Sequence, residues 1–349
     1  MSTSMRERLE AAVRYLWLAI LLVFVLTPFL VTLLASLTPD KAIISQPARW
    51  FTSGFNIDNY VYSLTGKLPS QDEVEAGQRT ISMVSQEIRF LPAAMLHSII
   101  VSLLVMALDL LLGAPAAYAL VKMRIRGKGV VLNFILGTRL IPLVAVAIPY
   151  YELMQLFKLT NTLTSLVIMY VGLTLPFVIL ILCVAFRQID RAIEEAAQVD
   201  GLNPLQTLVR IVVPVAAPSI VGAGLFAFML SYCEFLFGLL LATNQSVRTM
   251  PVTMASVSVN PDVSLGLTCA GIILGILPTL LVIIPVWRYT IRGLADLKPR
   301  QHLTVEFTRE DGSTGSFVVL ARIDGDAELK YLNNGGILQT VLRRLKDEA

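Results

Sequence analysis

The run Glu194-Glu195-Ala196-Ala197-Gln198-Val199-Asp200-Gly201-Leu202-Asn203-Pro204, carried on to Ile211-Val212-Val213-Pro214, is a short polar passage between two long apolar stretches. Its flanks are membrane-like, so the passage lies on one face of a bilayer, yet its residues spell two short helices and not a slack connection. Asp190 stands where a carboxylate can accept the free N–H groups of a first turn. Gly201 stands where the chain must leave the helix through the left-handed region, which a residue without a β-carbon enters freely. Asn203 then caps a second helix with Pro204 at its first position, where the missing N–H has no bond to lose. The expectation is a helix-turn-helix over 190–214, parallel to the membrane, offering Ile193, Ala196 and Ala197 as one small, smooth face that another protein can approach closely.

The rest of the composition agrees with a bilayer on both sides of this passage. A chain of 349 residues that is 55% hydrophobic and 15% charged, with a mean hydropathy of +0.71, is too apolar for a soluble globular protein of its size. It reads as an all-α polytopic membrane protein with a small α+β tail. The formal net charge of +3 is modest, and nothing in its distribution points to nucleic acid. Cys183, Cys233 and Cys269 all fall inside apolar segments, which argues against a disulfide framework and against a metal site. Arg6, Arg8 and Arg14 precede the first apolar run, which continues without a small-residue cleavage site and so reads as a retained helix, not a signal peptide.

At about twenty apolar residues per crossing, the chain holds about six spans, near 14–37, 93–121, 130–154, 163–186, 215–242 and 265–290. Lys and Arg set their direction. Arg6, Arg8 and Arg14 precede the first span, Lys122, Arg124, Arg126 and Lys128 follow the second, Arg187, Arg191 and Arg210 follow the fourth, and Arg288 and Arg292 close the sixth. The short opposite loops offer only Lys158 and Arg248, so both termini and the 190–214 passage are expected in the cytoplasm. The long segment 38–92 is then extracytoplasmic, and its Trp50, Phe51, Phe55, Tyr60 and Tyr62 suggest a folded cap or docking surface. On the same side, Thr243 to Ser264 reads as a polar loop stiffened by Pro251 and Pro261. The stretch Lys122 to Gly129 is not a P-loop, since no Gly lies five residues before Gly127 and Gly129 stands where Ser or Thr should follow Lys128. It reads as a positive-inside anchor. Pro28, Pro115, Pro142, Pro149, Pro176 and Pro278 lie within spans and can bend them.

A charge in lipid costs several kcal/mol unless it is paired or faces water, and Asp109, Arg139 and Glu234 fall inside spans. They read either as groups lining a path for a polar substrate or as an interhelical pair, Arg139 with Asp109 or Glu234. Tyr150, Tyr151, Tyr170 and Tyr232 offer faces suited to sugar rings, or serve as packing and interface residues.

The 190–214 passage resembles the EAA loop of binding-protein-dependent ABC importer permeases, whose pattern is Glu-Ala-Ala, three residues, Gly, nine residues, Ile-x-Leu-Pro. Here Glu195-Ala196-Ala197, Gly201, Ile211 and Pro214 keep that spacing, with Val213 in place of Leu and Leu202 in place of a more usual Ala. Glu234-Phe235-Leu236-Phe237 is similar to the Asn-Glu-Phe passage of maltose-type permeases, with Cys233 in place of Asn. The resemblance covers about residues 10–293. It implies a permease domain over 1–293 in a bacterial inner membrane, importing a sugar or related polyol, with Glu194, Glu195, Ala196, Ala197, Asp200, Gly201 and Pro214 coupling it to an ATPase. Asp109, Arg139, Tyr150, Tyr232 and Glu234 are then candidates for the path. It implies as partners a second permease, two ATPase subunits that hold the ATP and magnesium, an extracytoplasmic substrate-binding protein and membrane lipid, with no cofactor and no catalytic group in this chain. The rival readings are an ion-coupled secondary transporter, with Asp109 and Glu234 as proton carriers, and a membrane-anchored metabolic enzyme built on the tail.

The tail, 294–349, changes character. Leu303 to Phe307 alternates, Asp311-Gly312 turns and Phe317 to Ala321 returns, a hairpin signature, with a short helix expected from Gly336 to Leu345. It is similar to the extreme C-terminus of the aconitase family through Asp296-Leu297-Lys298-Pro299-Arg300, Arg309 to Ser313, Arg322-Ile323-Asp324 and Gly335 to Leu338. No cluster cysteine lies in it, so no enzymatic activity carries over. A natural fusion, a junction and a regulatory cap all fit.

Overall fold

The structure is a computed structural model that describes residues 3–39, 42–43, 45–47, 50, 55, 57–66, 87–260, 263–283, 288–292, 302–308 and 314–320. The chain divides into two compact units, Met1–Leu280 and Leu281–Ala349. Helix α1 runs from Thr3 to Leu37 and α2 from Asp58 to Thr65. A 3-10 turn, Glu87–Phe90, leads into α3, Leu91–Lys122, followed by α4, Lys128–Gly137, α5, Leu143–Leu156, and α6, Leu163–Arg187. Then come α7, Arg191–Val199, and α8, Pro204–Thr207, which is prolonged by a π turn, Leu208–Val212, and a last turn, Val213–Val215. Next come α9, Ala217–Tyr232, α10, Leu236–Leu241, α11, Met250–Val259, and α12, Leu265–Ile283.

Among the described residues, four helical stretches are long and apolar enough to cross a membrane: Ala12–Leu37, Glu87–Lys122, Leu163–Arg187 and Leu265–Val282. Six are reached by counting two bent pairs, each as one span. The expected third span, 130–154, is two helices bent by 93° between Leu140 and Leu143. Ile141 there is extended, as the residue before a proline prefers, and Pro142 has no N–H with which to continue the ladder. The expected fifth span, 215–242, begins at a bend of 86° after Val215 and is broken again at Cys233 to Phe235.

Helices α3, α6 and α9 form the centre of the first unit. Ala117, Tyr118, Leu182, Phe186, Ala223 and Ala227 are buried among one another. The backbones come close because small residues sit at the contacts: a β-carbon added at Gly113 would lie 3.0 Å from Val178 Cγ1, and one at Gly224 3.0 Å from Leu110 Cδ1. A second cluster joins Val101 and Val105 of α3 to Ala147, Met154, Leu166, Tyr170, Phe237 and Leu241.

The described part of the 38–92 segment is a folded cap. Tyr62 of α2 is buried with Ile88, Val257 and Leu267, Asn59 Nδ2 donates to the Ser36 carbonyl at 3.1 Å, and the Tyr60 and Ser36 hydroxyls lie 2.6 Å apart. The 243–264 segment is not the free polar loop that its composition suggests. Its middle is α11, with Pro251 in the first turn, and it buries Met250, Val252, Thr253 and Val257.

In the second unit, β1 (Arg288–Arg292), β2 (His302–Thr308) and β3 (Thr314–Leu320) form one antiparallel sheet in that order, with Tyr289 opposite Phe307 and Val305 opposite Phe317. The hairpin expected in the tail is therefore present as β2 and β3. Strand β1 corrects the end expected for the sixth span, because Arg288 to Tyr289-Thr290 are extended, not helical. The Asp311-Gly312 turn, the helix expected over 336–345, the Gln71 to Glu75 stretch and the aconitase-like segments lie outside the described residues.

Candidate functional site: the coupling loop and the residues that hold it

The 190–214 passage folds as two capped helices. Asp190 is the N-cap of α7 and accepts from the Ala192 N–H at 3.1 Å. Gly201 has φ +84°. The Leu202 N–H reaches the Ala197 carbonyl and the Gly201 N–H the Gln198 carbonyl, both at 3.0 Å, which closes the orphan carbonyls of the helix end. Asn203 caps α8 through a reciprocal box: its side chain accepts from the Gln206 N–H at 2.9 Å, and the Gln206 side chain accepts from the Asn203 N–H at 3.0 Å. Gln206 was not singled out from the sequence, although Asn followed by Gln three residues on is the signal of that box.

The exposed face of α7 carries Ile193, Glu195, Ala196 and Val199, continuing to Asp200. Ala197 is the correction. It is 2% exposed and packs inward, so the outward surface is Ile193 with Ala196 and without Ala197. Glu194 also turns inward, because i and i+3 share a helical face. Its carboxylate forms an ion pair with the Lys122 ammonium at the end of α3, and the two side chains are 7% and 5% exposed. Lys122 Nζ also donates to the Ile189 carbonyl at 2.7 Å, and the Tyr118 hydroxyl approaches Glu194 Oε2 at 3.4 Å. The second helix is tied by packing. Thr207, Leu208 and Val212 are buried, the last two within the α3, α6, α9 core, while Pro214 is exposed. Both halves of the loop are thus fastened to the helices behind them. Lys122 had read as a topological anchor alone, since its partner is remote in sequence.

The five candidate path residues are scattered. Asp109 is fully buried between α3 and α6, where the Thr174 hydroxyl donates to its Oδ2. Arg139 sits at the bend after α4, donates from Nη2 to the Gly172 carbonyl at 3.0 Å and places its guanidinium 4.8 Å from the Phe177 ring centre. The expected pair of Arg139 with Asp109 or Glu234 is not formed: among the described residues the ion pair is Lys122 with Glu194. Glu234 instead lies in the break between α9 and α10 and caps the second helix. Its carboxylate accepts from the Phe237 N–H at 3.1 and 3.2 Å and from the Gly238 N–H at 3.3 Å. Tyr150 donates to the Ser165 carbonyl at 2.8 Å and meets Phe237 edge to face. Tyr232 is buried, stacked on Phe228, and donates to the Gly275 carbonyl at 2.9 Å. Asp109 and Tyr232 therefore sit in the packing of this unit. Tyr170 is likewise buried, and Tyr151 accepts from Gln155 Nε2 at 3.0 Å. No group of three or more metal-binding side chains occurs among the described residues.

Residues 109–290, more than half of the chain, match the family described as binding-protein-dependent transport system inner membrane component, and the chain belongs to that family. It is a multi-pass inner-membrane permease component that works with a binding protein and an ATPase. It is 28% identical over 281 residues to the sulfoquinovosyl glycerol transport system permease protein SmoH of Agrobacterium fabrum, covering 80% of this chain and 91% of that protein. It is 26% identical over 292 residues to the trehalose/maltose transport system permease protein MalG of Thermococcus litoralis, covering 83% and 97%. A bacterial ABC transporter that imports the acidic polysaccharide alginate shares its fold, with a TM-score of 0.61 at 20% identity over 81% of this chain and 96% of the other.

Proposed function

We propose that this chain is a pore-forming permease subunit of an ATP-driven importer for a saccharide or related polyol. The observation that carries the reading is the two-sided build of the 190–214 loop. One face, Ile193, Glu195, Ala196 and Val199, is open to a partner, while Glu194, Ala197, Leu208 and Val212 are fixed to the membrane helices. A push on such a loop moves α3, α6 and α9 instead of bending a linker. The cargo class is supported by relatives named for trehalose and maltose, for sulfoquinovosyl glycerol and for diacetylchitobiose.

In this reading a second permease completes the pore, and two ATP-binding cassette subunits grip the two coupling loops. Those subunits hold the ATP and magnesium, and this chain supplies no catalytic group. An extracytoplasmic binding protein delivers the cargo. The loop, both termini and the 294–349 extension face the cytoplasm, where the ATPase is. Reconstitution with a second permease, an ATPase and a binding protein tests the transport reading. Saccharide uptake should need hydrolysable ATP and ignore a protonophore. Uptake that continues with a nonhydrolysable analogue and stops with the protonophore would establish the ion-coupled alternative instead.

A further inference from the structure

Beside the coupling loop, a cavity of about 300 Å³ opens where the end of α3, the start of α4, the end of α6 and the start of α7 meet. Four cations line it, Lys122, Lys128, Arg187 and Arg191, against an aliphatic wall that includes Leu120 and Leu132, and no carboxylate is among its lining residues. Lys122 is already neutralised by Glu194. Lys128, Arg187 and Arg191 have no hydrogen-bond or ion-pair partner among the described residues. Cations gathered without counter-charge repel one another, so the arrangement is stabilised by an anion that several can share. The backbone adds to this. Gly127, the N-cap of α4, has φ +79° and no side chain to cap the first turn, and nothing lies within 4 Å of where a β-carbon would stand on Gly127 or Gly129. The Val130 and Val131 N–H groups return to the Gly127 carbonyl at 2.9 and 3.2 Å, which leaves the Lys128 and Gly129 N–H groups of that turn unpaired among the described residues, at the positive end of the helix dipole.

The position selects the anion. The apolar spans Glu87–Lys122 and Leu163–Arg187 both end at residues that line the cavity, so it sits at the depth of headgroup phosphates. We propose that the cavity binds the phosphodiester of an anionic phospholipid, with Lys128, Arg187 and Arg191 on the phosphate and the glycerol backbone against Leu120 and Leu132. A free phosphate ion satisfies the same cations but leaves the aliphatic wall bare. Because Arg191 opens α7 and Lys122 holds Glu194, the bound phosphodiester joins α4 and α6 to the coupling loop. This assignment does not depend on the cargo or on ATP.

The test uses the full chain with its partner subunits, in nanodiscs containing phosphatidylglycerol and phosphatidylcholine, washed in detergent and examined for retained lipid by native mass spectrometry. Phosphatidylglycerol should be retained over phosphatidylcholine by roughly 30- to 150-fold, as expected for two to three cations acting on one phosphate. Lys128→Gln with Arg187→Gln should bring retention down to the phosphatidylcholine level. Lys128→Arg with Arg187→Lys should keep it, which separates charge from folding. Equal retention of phosphatidylglycerol by the wild type and the Gln variant would overturn the proposal. Binding of radiolabelled inorganic phosphate with no selective lipid retention would overturn it in favour of a soluble anion.

Discussion

Lys122, the last residue of α3, is joined to Glu194, in the first turn of α7, by an ion pair withdrawn from solvent. Two charges removed from water are stable only if each is met in full, and the Ile189 carbonyl and Tyr118 hydroxyl complete the set around them. The pair therefore does more than balance charge. It makes α7 an extension of α3.

Removing one partner leaves the other as an unpaired buried charge. Lys122→Met or Glu194→Leu alone should destabilise the protein by about 3–5 kcal/mol, seen as low membrane abundance and a lower unfolding temperature. The two together should recover most of the abundance, since a buried pair can often be exchanged for apolar packing. If the pair also positions the loop, the recovered double variant should still show weak transport relative to its ATP hydrolysis. Full coupling in that variant would reduce the pair to a structural one.

Gly201→Val tests the turn. Nothing lies within 4 Å of an added β-carbon there, so the substitution meets no clash, and its whole effect comes from φ +84°. The left-handed conformation costs about 1–2 kcal/mol for a residue with a side chain and more for a β-branched one. We expect normal abundance with transport strongly reduced, and a milder loss for Gly201→Asn, because Asn tolerates this region. Unimpaired uptake by the Val variant would remove the turn from the coupling mechanism.

Glu234 caps α10, and this changes what its substitutions should do. Glu234→Gln keeps an acceptor for the Phe237 and Gly238 N–H groups and should leave abundance near normal. Glu234→Leu leaves both donors open and should lower stability by about 1 kcal/mol. A transport loss in the Gln variant at normal abundance would show that the charge itself matters for cargo. Changing Arg139 should rescue neither variant, since no bond joins the two residues.

The exposed tip of the segment between α10 and α11 is held from beneath. Asn161, itself at φ 57°, accepts through Oδ1 from the Thr243 hydroxyl at 2.8 Å and from the Asn244 N–H at 2.9 Å. Asn161→Gly keeps the backbone conformation and removes that acceptor. We expect binding-protein-stimulated ATP hydrolysis to fall while basal hydrolysis and assembly hold, and deletion of 244–247 to do the same more severely. Stimulation unchanged in both would leave the long segment around Trp50 and Phe55 as the main docking surface.

Local chemistry was legible wherever the chain answers to itself. Asp190, Gly201, Asn203 and Pro204 act within a few residues of their own position, so the two short helices of the 190–214 passage could be drawn from their letters, and twenty-residue apolar runs announced the spans. The β2–β3 hairpin was legible for the same reason, since alternation and a short connection are local. Strand β1 was not, because its pairing with β2 competes with an apolar run that reads as helix to its end. Ala197 and Ala196 are identical as letters, and which one faces a partner depends on how α7 is rotated against α3. That rotation is pinned by Lys122 on Glu194. Asp109, Arg139 and Glu234 likewise looked interchangeable as charges in apolar surroundings. Thr174, the Gly172 carbonyl and the open end of α10 gave each a different local partner instead of one another. Periodicity and caps are written along the chain, whereas the partner of a buried charge is chosen by whichever groups the packed helices bring within about 3 Å of it.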